Sequence, residues 1–415
     1  MKYSFLIPSR NRLELLRHAV DSIQRQGIQN YEIVIADNAS KQNYGAYVTS
    51  LADSRIVYSR AAEALPVTDN WSRALALASG DYVLMLGDDD ALTPWFHRQV
   101  RMLVEKPADG PDIVYLAAFH YCYPQVMPGS PKGYLADVRN SRFLDGPSTP
   151  FQLPHDEAVA VANAAFGFRY LFGFNSQHFL FSAAFLRQID NLGGIFQSPY
   201  PDTFAAVVSF LRARSIMVLP EPAVIIGISP KSFGYYYFND RPAEGYQFLA
   251  NENVSPEVRA ALQGVILPGD RNNTNWLVAV ELARRALGPA NTPEVDMGRY
   301  RILQAVAFLR DIHLKGARRP QEADEFAQQL DSRERAVFSG LRAVVGAAAA
   351  GGRKHLNRAF ESIDRELGQF WPAQVRMMGI KGHSSIADAY NWLEAKRAYA
   401  NLPTASRGLK RVLGL

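Results

Sequence analysis

The chain has 415 residues, 48% of them hydrophobic and 20% charged, and that length predicts two domains or one large domain with an appendage. A net charge of +5 is too dilute for a nucleic-acid binder and suits an anionic small molecule or an anionic membrane surface. The single cysteine, Cys122, excludes an internal disulfide and fits a reducing cytoplasm. The apolar run in MKYSFLIPSR is too short for a secretory leader, and no window approaches about 18 continuous apolar residues. A cytoplasmic protein is expected, touching a membrane only peripherally, at the inner face.

The first 120 residues alternate between strand and helix patterns. YSFLIP (3–8) reads as a buried strand. RLELLRHAVDSIQRQ (12–26) carries Leu13, Leu16, Val20 and Ile23 at helical spacing, with Gly27 as the stop. YEIVIADNAS (31–40) is a second strand ending in turn residues, and RIVYSR (55–60) a third. TDNWSRALALASG (68–80) predicts a short helix capped by Thr68, Asp69 or Asn70. YVLML (82–86) is a fourth strand. TPWFHRQVRMLVEK (93–106) predicts a helix with Thr93 as N-cap and Pro94 in the first turn. DIVYLAAF (112–119) is a fifth strand. Such alternation predicts an α/β fold with a mostly parallel sheet.

Residues 121–165 are rich in Pro and Gly and read as an irregular insertion. FGFRYLFGF (166–174) alternates aromatics, which suggests a half-buried strand rather than a platform on which a ligand ring stacks; FGYYYF (233–238) repeats the pattern in part. SAAFLRQI (182–189) and SPYPDTFAAVVSFLRARS (198–215) predict helices, and IMVLPEPAVIIGIS (216–229) one or two strands. Beyond about 240 only helical patterns remain (256–264, 273–287, 296–315, 321–347, 353–370, 385–399). The predicted division is an α/β domain over 1–238 and a mainly helical region over 239–415 that binds a ligand, forms an oligomer or touches a membrane. The tail ASRGLKRVLGL, with Arg407, Lys410 and Arg411 beside apolar residues, suits an anionic membrane, although a packed or frayed tail explains it better.

Ligands of open parallel sheets bind beyond the carboxyl ends of the strands. Three polar clusters fall there: PSRNR (8–12), DNAS (37–40) and GDDD (87–90). No GxGxxG and no GxxxxGK[ST] is present, which disfavours a dinucleotide fold and a P-loop. Three adjacent carboxylates, Asp88, Asp89 and Asp90, repel one another unless something neutralises them. Mg²⁺ or Mn²⁺ bridging to a diphosphate would do so, and would act as a Lewis acid for its departure.

Residues 3–92 resemble the start of a family 2 glycosyltransferase with the GT-A fold. The family opens with VPTYNR, here IPSRNR (7–12). Its second strand ends in DDGS, here DNAS. Its G-[ED]-Y strand ends in a DxD-type motif, here GDYVLMLGDDDAL (80–92). The resemblance implies a GT-A (Rossmann-like) sheet flanked by helices. It also implies a nucleotide-diphosphate-sugar donor, Mn²⁺ or Mg²⁺, inversion at the anomeric carbon, and a glycan or lipid-linked acceptor of surface polysaccharide synthesis (O-antigen or capsule). No nucleic acid is expected; a homo-oligomer stays open.

Carried onto this sequence, Asp37 matches the residue that bonds the base, and Pro8 and Ser9 the loop beneath the nucleoside. Arg10, Arg12 and Asn38 complete those two substrate-binding clusters. Asp89 is the first metal ligand, with Asp88 nearer the ribose and Asp90 assisting. Gly87 stands where relatives often carry the first aspartate. The family's frequent nucleotide-reaching Arg is replaced by Trp71, a base-stacking or core residue, with Arg73 nearby. Asp202 matches the general base, its alternative being a plain N-cap; Asp190 and Asp156 are weaker rivals. Ser229 occupies the position of a family His, Ser232 matches the family Ser, and Lys231 suits the diphosphate. His178 faces the acceptor or is a satisfied core histidine. Two other classes remain. A sugar-phosphate nucleotidyltransferase would need a Gly-rich loop after the first strand, which PSRNR lacks. For a non-catalytic nucleotide-sugar or glycan-binding relative, Asp202 discriminates: loss of transfer in Asp202→Asn with donor binding kept would support catalysis instead.

Overall fold

A strand covered on both faces must be apolar almost throughout. Tyr3–Ser9 (β1) and Tyr31–Asp37 (β2) meet that condition and are buried along nearly their whole length. The exceptions satisfy each other: Glu32 accepts from Ser4, Lys2 and Ser79 at 2.6–2.8 Å. The computed structural model describes residues 1–105, 110–128, 130–197, 200–239, 262–378 and 383–400, with 244, 245, 258 and 260 between them.

The fold is α/β, with a mixed central sheet. β2, Ile56–Arg60 (β3) and Tyr82–Met85 (β4) run parallel with β1, through Tyr3↔Tyr31, Ile33↔Ile56 and Tyr3↔Tyr82. The order is β3–β2–β1–β4–β9–β6, where β6 is Ile113–Cys122 and β9 is Phe179–Ser182. β9 is antiparallel to both its neighbours, so β6 runs parallel to β4. The sequence analysis missed β9, because its four residues follow directly on the aromatic run. Ile216–Ile228 (β10) runs parallel to β6, with a register shift between Leu219 and Val224 where Pro220 and Pro222 interrupt pairing.

Helices cover both faces. Leu13–Gln24 (α1) buries Leu16, Ala19, Val20 and Ile23, the expected stripe. Tyr44–Leu51 (α2), capped by Asn43, was not anticipated. Val67–Ala76 (α3) begins at Pro66, ahead of the three expected caps. Phe96–Val104 (α4) begins three residues past Thr93. The short strand Ala91–Leu92 (β5) pairs with Val224 and Ile225, both the N–H and the hydroxyl of Thr93 donate to Ala223 O, and the N-cap position falls to Trp95.

Residues 121–165 are not irregular: they form Tyr134–Arg139 (β7), Phe151–Gln152 (β8) and His155–Ala164 (α5). The 166–174 segment is not a strand either. Phe168 adopts φ +52°, and Phe166, Phe168, Phe172 and Phe174 are buried in the core, Phe172 stacking on Phe210 at 4.3 Å. Ala183–Ile189 (α6) and Pro201–Arg212 (α7) follow. Phe233–Phe238 (α8) is helical rather than extended.

The C-terminal region holds Arg271–Leu287 (α9), Met297–Arg310 (α10), Glu322–Gln328 (α11), Ser332–Ala350 (α12) and Arg353–Leu367 (α13). The expected 321–347 helix divides at Asp331, which forms a capping box with Glu334. The chain then returns to the first sheet. Gln374–Met377 (β11) pairs with β7, and Ile386–Ala400 (α14) buries Ile386, Ala389 and Leu393 in a cluster with Trp95, Phe119 and Ile225. Arg25–Glu394 at 2.5 Å and Arg397–Glu221 at 2.6 Å tie α14 down. A division at residue 239 therefore leaves the first part without its own closing elements. No helix among the described residues is long and apolar enough to cross a membrane. The basic tail beyond Ala400 lies outside them.

Candidate active site

β1, β2 and β4 end on the same side of the sheet because they are parallel and in register. Their tips border a cleft of about 730 Å³. Pro8, Ser9, Arg10, Arg12 and Asn38 line it, as do Trp71, Asp88, Asp89, Asp90, Asp202, Lys231 and Ser232. Asp37 and Arg73 do not. A smaller cleft of about 390 Å³, between β11, α14 and the Pro220–Pro222 turn, holds none of the motif residues.

The three aspartates have three different surroundings. Asp88 accepts from Ser9 Oγ at 2.5 Å and from Arg12 at 2.8 Å. Burial pushes its carboxyl up to about 6, against the pull of Arg12. Asp90 accepts from the Gly87 and Gly227 N–H groups and from the Gln177 amide at 2.7–2.8 Å. Burial, and then the neighbouring Asp89, push it up to about 8. Asp89 accepts from Ser229 Oγ at 2.7 Å on Oδ2; its Oδ1 lies 3.8 Å from Arg12 and accepts no hydrogen bond from another described residue.

Two glycines make this arrangement possible. A Cβ on Gly87 would stand 2.5 Å from Asp90 Oδ2, so the shifted triplet has a physical cause: Asp90 occupies the space a side chain at 87 would need. A Cβ on Gly227 would meet the Asp89 carbonyl at 1.8 Å, so β10 can pass the acidic loop only as glycine.

Asp37 lies beneath the cleft floor. It is fully buried and accepts from Ser40 N–H and Tyr58 Oη at 2.8 Å. It shapes the turn that presents Asn38, whose amide makes two bonds to the Leu65 backbone. Arg73 donates to the Asp37 carbonyl, Ser59 and Asn70, bracing the end of β2 from behind. Trp71 borders the cleft and sets its edge against Phe196, with ring centroids 5.3 Å apart. Arg12 donates to the Lys231 carbonyl and Lys231 Nζ to the Asn11 carbonyl. Ser232 Oγ closes a turn on the Ser229 carbonyl. Ser229, in the family-His position, holds one oxygen of Asp89.

Asp202 stands in the first turn of α7, but the cap position is Tyr200. Its Oδ1 instead accepts both the N–H and the hydroxyl of Ser176, at 2.8 and 2.5 Å. Burial raises its carboxyl. Asp156 and Asp190 are exposed and away from the cleft. His178 is buried, bonded through Nδ1 to Leu116 O and stacked on Tyr115, away from the cleft.

Among the described residues no three His, Cys, Asp or Glu side chains converge on a cation. Asp88 is committed to Arg12, and Asp90 to three N–H donors. The fit is therefore to a cation held through Asp89, with donor phosphates and water completing the shell, which is how Mg²⁺ and Mn²⁺ commonly bind.

Residues 4–147 match the model of "Glycosyl transferase family 2". Over that stretch the chain is similar to family 2 glycosyltransferases. An Escherichia coli protein named as a colanic acid biosynthesis glycosyl transferase is 34% identical over 93 residues, 22% of this chain and 33% of its own length. The GalNAc(5)-diNAcBac-PP-undecaprenol β-1,3-glucosyltransferase of Campylobacter jejuni is 36% identical over 95 residues, 22% of this chain and 30% of its own. The chain thus matches about a third of the length of these relatives. Among solved structures, Staphylococcus aureus TarS 1–349 in complex with UDP-GlcNAc aligns with a TM-score of 0.46 at 13% identity, over 92% of this chain and 98% of that one.

Several residues of the cleft went unforeseen. Gln177, Asn175, His120, Tyr200 and Tyr236 line it, and Gly227 supports it. Only Tyr200 had a local signal, two residues ahead of Asp202.

Proposed function

We propose that the protein is an inverting glycosyltransferase that moves a sugar from a nucleotide diphosphate to a hydroxyl of a glycan or lipid-linked acceptor. The observation that carries this reading is that Asp202 and Asp89 face one cleft. Arg10, Arg12 and Lys231 give the cleft a cationic wall suited to a diphosphate. Asn38 and Trp71 border the nucleoside side. Asp202 takes the proton of the acceptor hydroxyl while the acceptor oxygen bonds to the anomeric carbon from the face opposite the leaving group. The bond from that carbon to the phosphate oxygen breaks, the nucleoside diphosphate leaves, and the configuration inverts. A carboxyl raised by burial is a stronger base for this step than an exposed aspartate. Mn²⁺ or Mg²⁺ at Asp89 would supply charge neutralisation for the departing diphosphate. The named activities of the relatives favour surface polysaccharide synthesis as the setting.

The test is nucleoside diphosphate release by purified protein across a panel of nucleotide sugars with Mn²⁺, with and without EDTA. Release that depends on donor, metal and Asp202 supports the reading. Pyrophosphate release instead indicates a nucleotidyltransferase, and binding without turnover a non-catalytic relative.

A further inference from the structure

His120 lines the cleft near the end of β6, opposite Ile226 in the parallel pairing with β10. The next residues of that chain hold the acidic loop: Gly227 donates to Asp90 and Ser229 to Asp89. The loop before β9 also approaches His120. Its Gln177 donates to Asp90, its Ser176 holds Asp202, and its His178 acts electrostatically on the His120 ring. His120 therefore adjoins the supports of both Asp90 and Asp202.

Its own hydrogen bonds are unspent. Nε2 is buried, and neither ring nitrogen bonds another described residue. Buried polar atoms are nearly always paired, so an unpaired ring in a cleft wall marks a place for a polar atom of the ligand. Burial, and then His178, push the imidazole down to about 4. At pH 7 it is uncharged and offers one donor and one acceptor, which suits a hydroxyl better than a phosphate. His178 is the contrast. Its Nε2 is also unpaired, but Gly173 closes it off: a Cβ there would lie 2.6 Å away, and the ring stands outside the cleft wall.

We infer that His120 hydrogen-bonds a ring hydroxyl of the sugar being transferred, and so determines which donors the cleft accepts. Its placement selects the transferred sugar. The Asp89–Asp90 loop adjoins the diphosphate and Asp202 meets the acceptor hydroxyl, and the group that spans them is the donor's sugar ring. The class of donor is one that keeps its hydroxyl at the position His120 reads. A donor deoxygenated there leaves the imidazole buried and unpaired. This inference rests on the glycosyltransferase reading above.

The experiment measures binding by isothermal titration with Mn²⁺ present. The probe is whichever of UDP-glucose, UDP-N-acetylglucosamine, UDP-galactose and GDP-mannose the wild-type protein hydrolyses fastest, beside the matching free UDP or GDP. His120→Phe keeps a ring and removes both nitrogens. It should weaken the nucleotide sugar about ten- to hundredfold and leave the free nucleotide within about twofold. His120→Asn returns a donor and an acceptor and should bind the nucleotide sugar within about threefold of wild type. The wild type should also bind one monodeoxy analogue of the probe about tenfold more weakly than the parent, a difference that His120→Phe erases. That comparison needs only the wild type, so it decides even where a variant is destabilised. Equal weakening of nucleotide sugar and free nucleotide, unchanged binding in His120→Phe, or a wild type that discriminates against no monodeoxy analogue overturns the inference and leaves the glycosyltransferase reading standing. A wild-type protein that turns over no donor overturns both.

Discussion

Gln177 donates its side-chain amide to Asp90 Oδ2 at 2.8 Å, and the residue before it, Ser176, holds Asp202. Two consecutive residues therefore set the spacing between the acidic tip of β4 and the first turn of α7. Catalysis is steep in such spacing. Gln177→Ala should lower kcat roughly ten- to hundredfold, because Asp90 keeps its two backbone donors but loses its link to α7. Steady-state kinetics beside a melting curve checks this: an unchanged kcat would separate the two loops functionally.

Asp202→Asn keeps the shape of the side chain and removes the proposed base. Transfer should fall by about a hundred- to ten-thousandfold while the donor still binds. Isothermal titration with the donor and a product assay measure the two halves separately. Full transfer by the variant would assign the base elsewhere.

Gly227→Ala puts a methyl group where the Asp89 carbonyl stands, 1.8 Å away. The backbone must shift, at a cost of about 1–3 kcal/mol, and Asp89 moves with it. A lower melting temperature together with loss of the Mn²⁺-dependent thermal shift is expected. A variant with wild-type stability would contradict the packing described for β10.

Leu393 on α14 is 2% exposed against the N-terminal sheet. Leu393→Ala should cost about 2–5 kcal/mol. Because α14 completes that sheet's packing, the loss should appear in one cooperative transition by denaturant titration. An early separate transition for the C-terminal region would show that α14 is dispensable to the first domain.

Burial alone would raise the Glu32 carboxyl, but hydrogen bonds from Lys2, Ser4 and Ser79 outweigh it and hold it near about 2, below its ordinary 4.5. A depressed folded value stabilises the fold above the unfolded pKa, and that contribution disappears as pH falls from about 4.5 towards 2. Glu32→Gln should therefore be less stable than wild type at pH 7, by about 1.5–3 kcal/mol, with the gap closing through that window. Denaturant titrations from pH 7 to pH 2.5 test it; a constant gap would remove the linkage.

The local part of this protein was legible in its sequence. Continuous apolar runs identified β1, β2, β4 and β6, a helical stripe identified α1, and three polar clusters at strand ends identified the cleft. These signals are local because burial on two faces, helical periodicity and strand termination each act within one segment. β9 and α2 were not legible, since four- and eight-residue elements carry too little periodicity. The aromatic run 166–174 misled for the opposite reason: alternation alone does not distinguish a strand from a loop buried on every side.

The sequence by itself determined which acidic, basic and polar groups would reach the sheet's carboxyl edge. Only the tertiary structure decided what each of them does there. Asp88, Asp89 and Asp90 are chemically identical in the chain. They differ because Arg12, Ser229 and Gly227 arrive from strands and turns up to 140 residues away and consume different oxygens. Asp37 and Arg73 drop out of the cleft for the same reason, their polar atoms being spent on Tyr58, Ser59 and backbone groups. Hydrogen-bonding capacity is finite, and where it is spent depends on partners that no local pattern names.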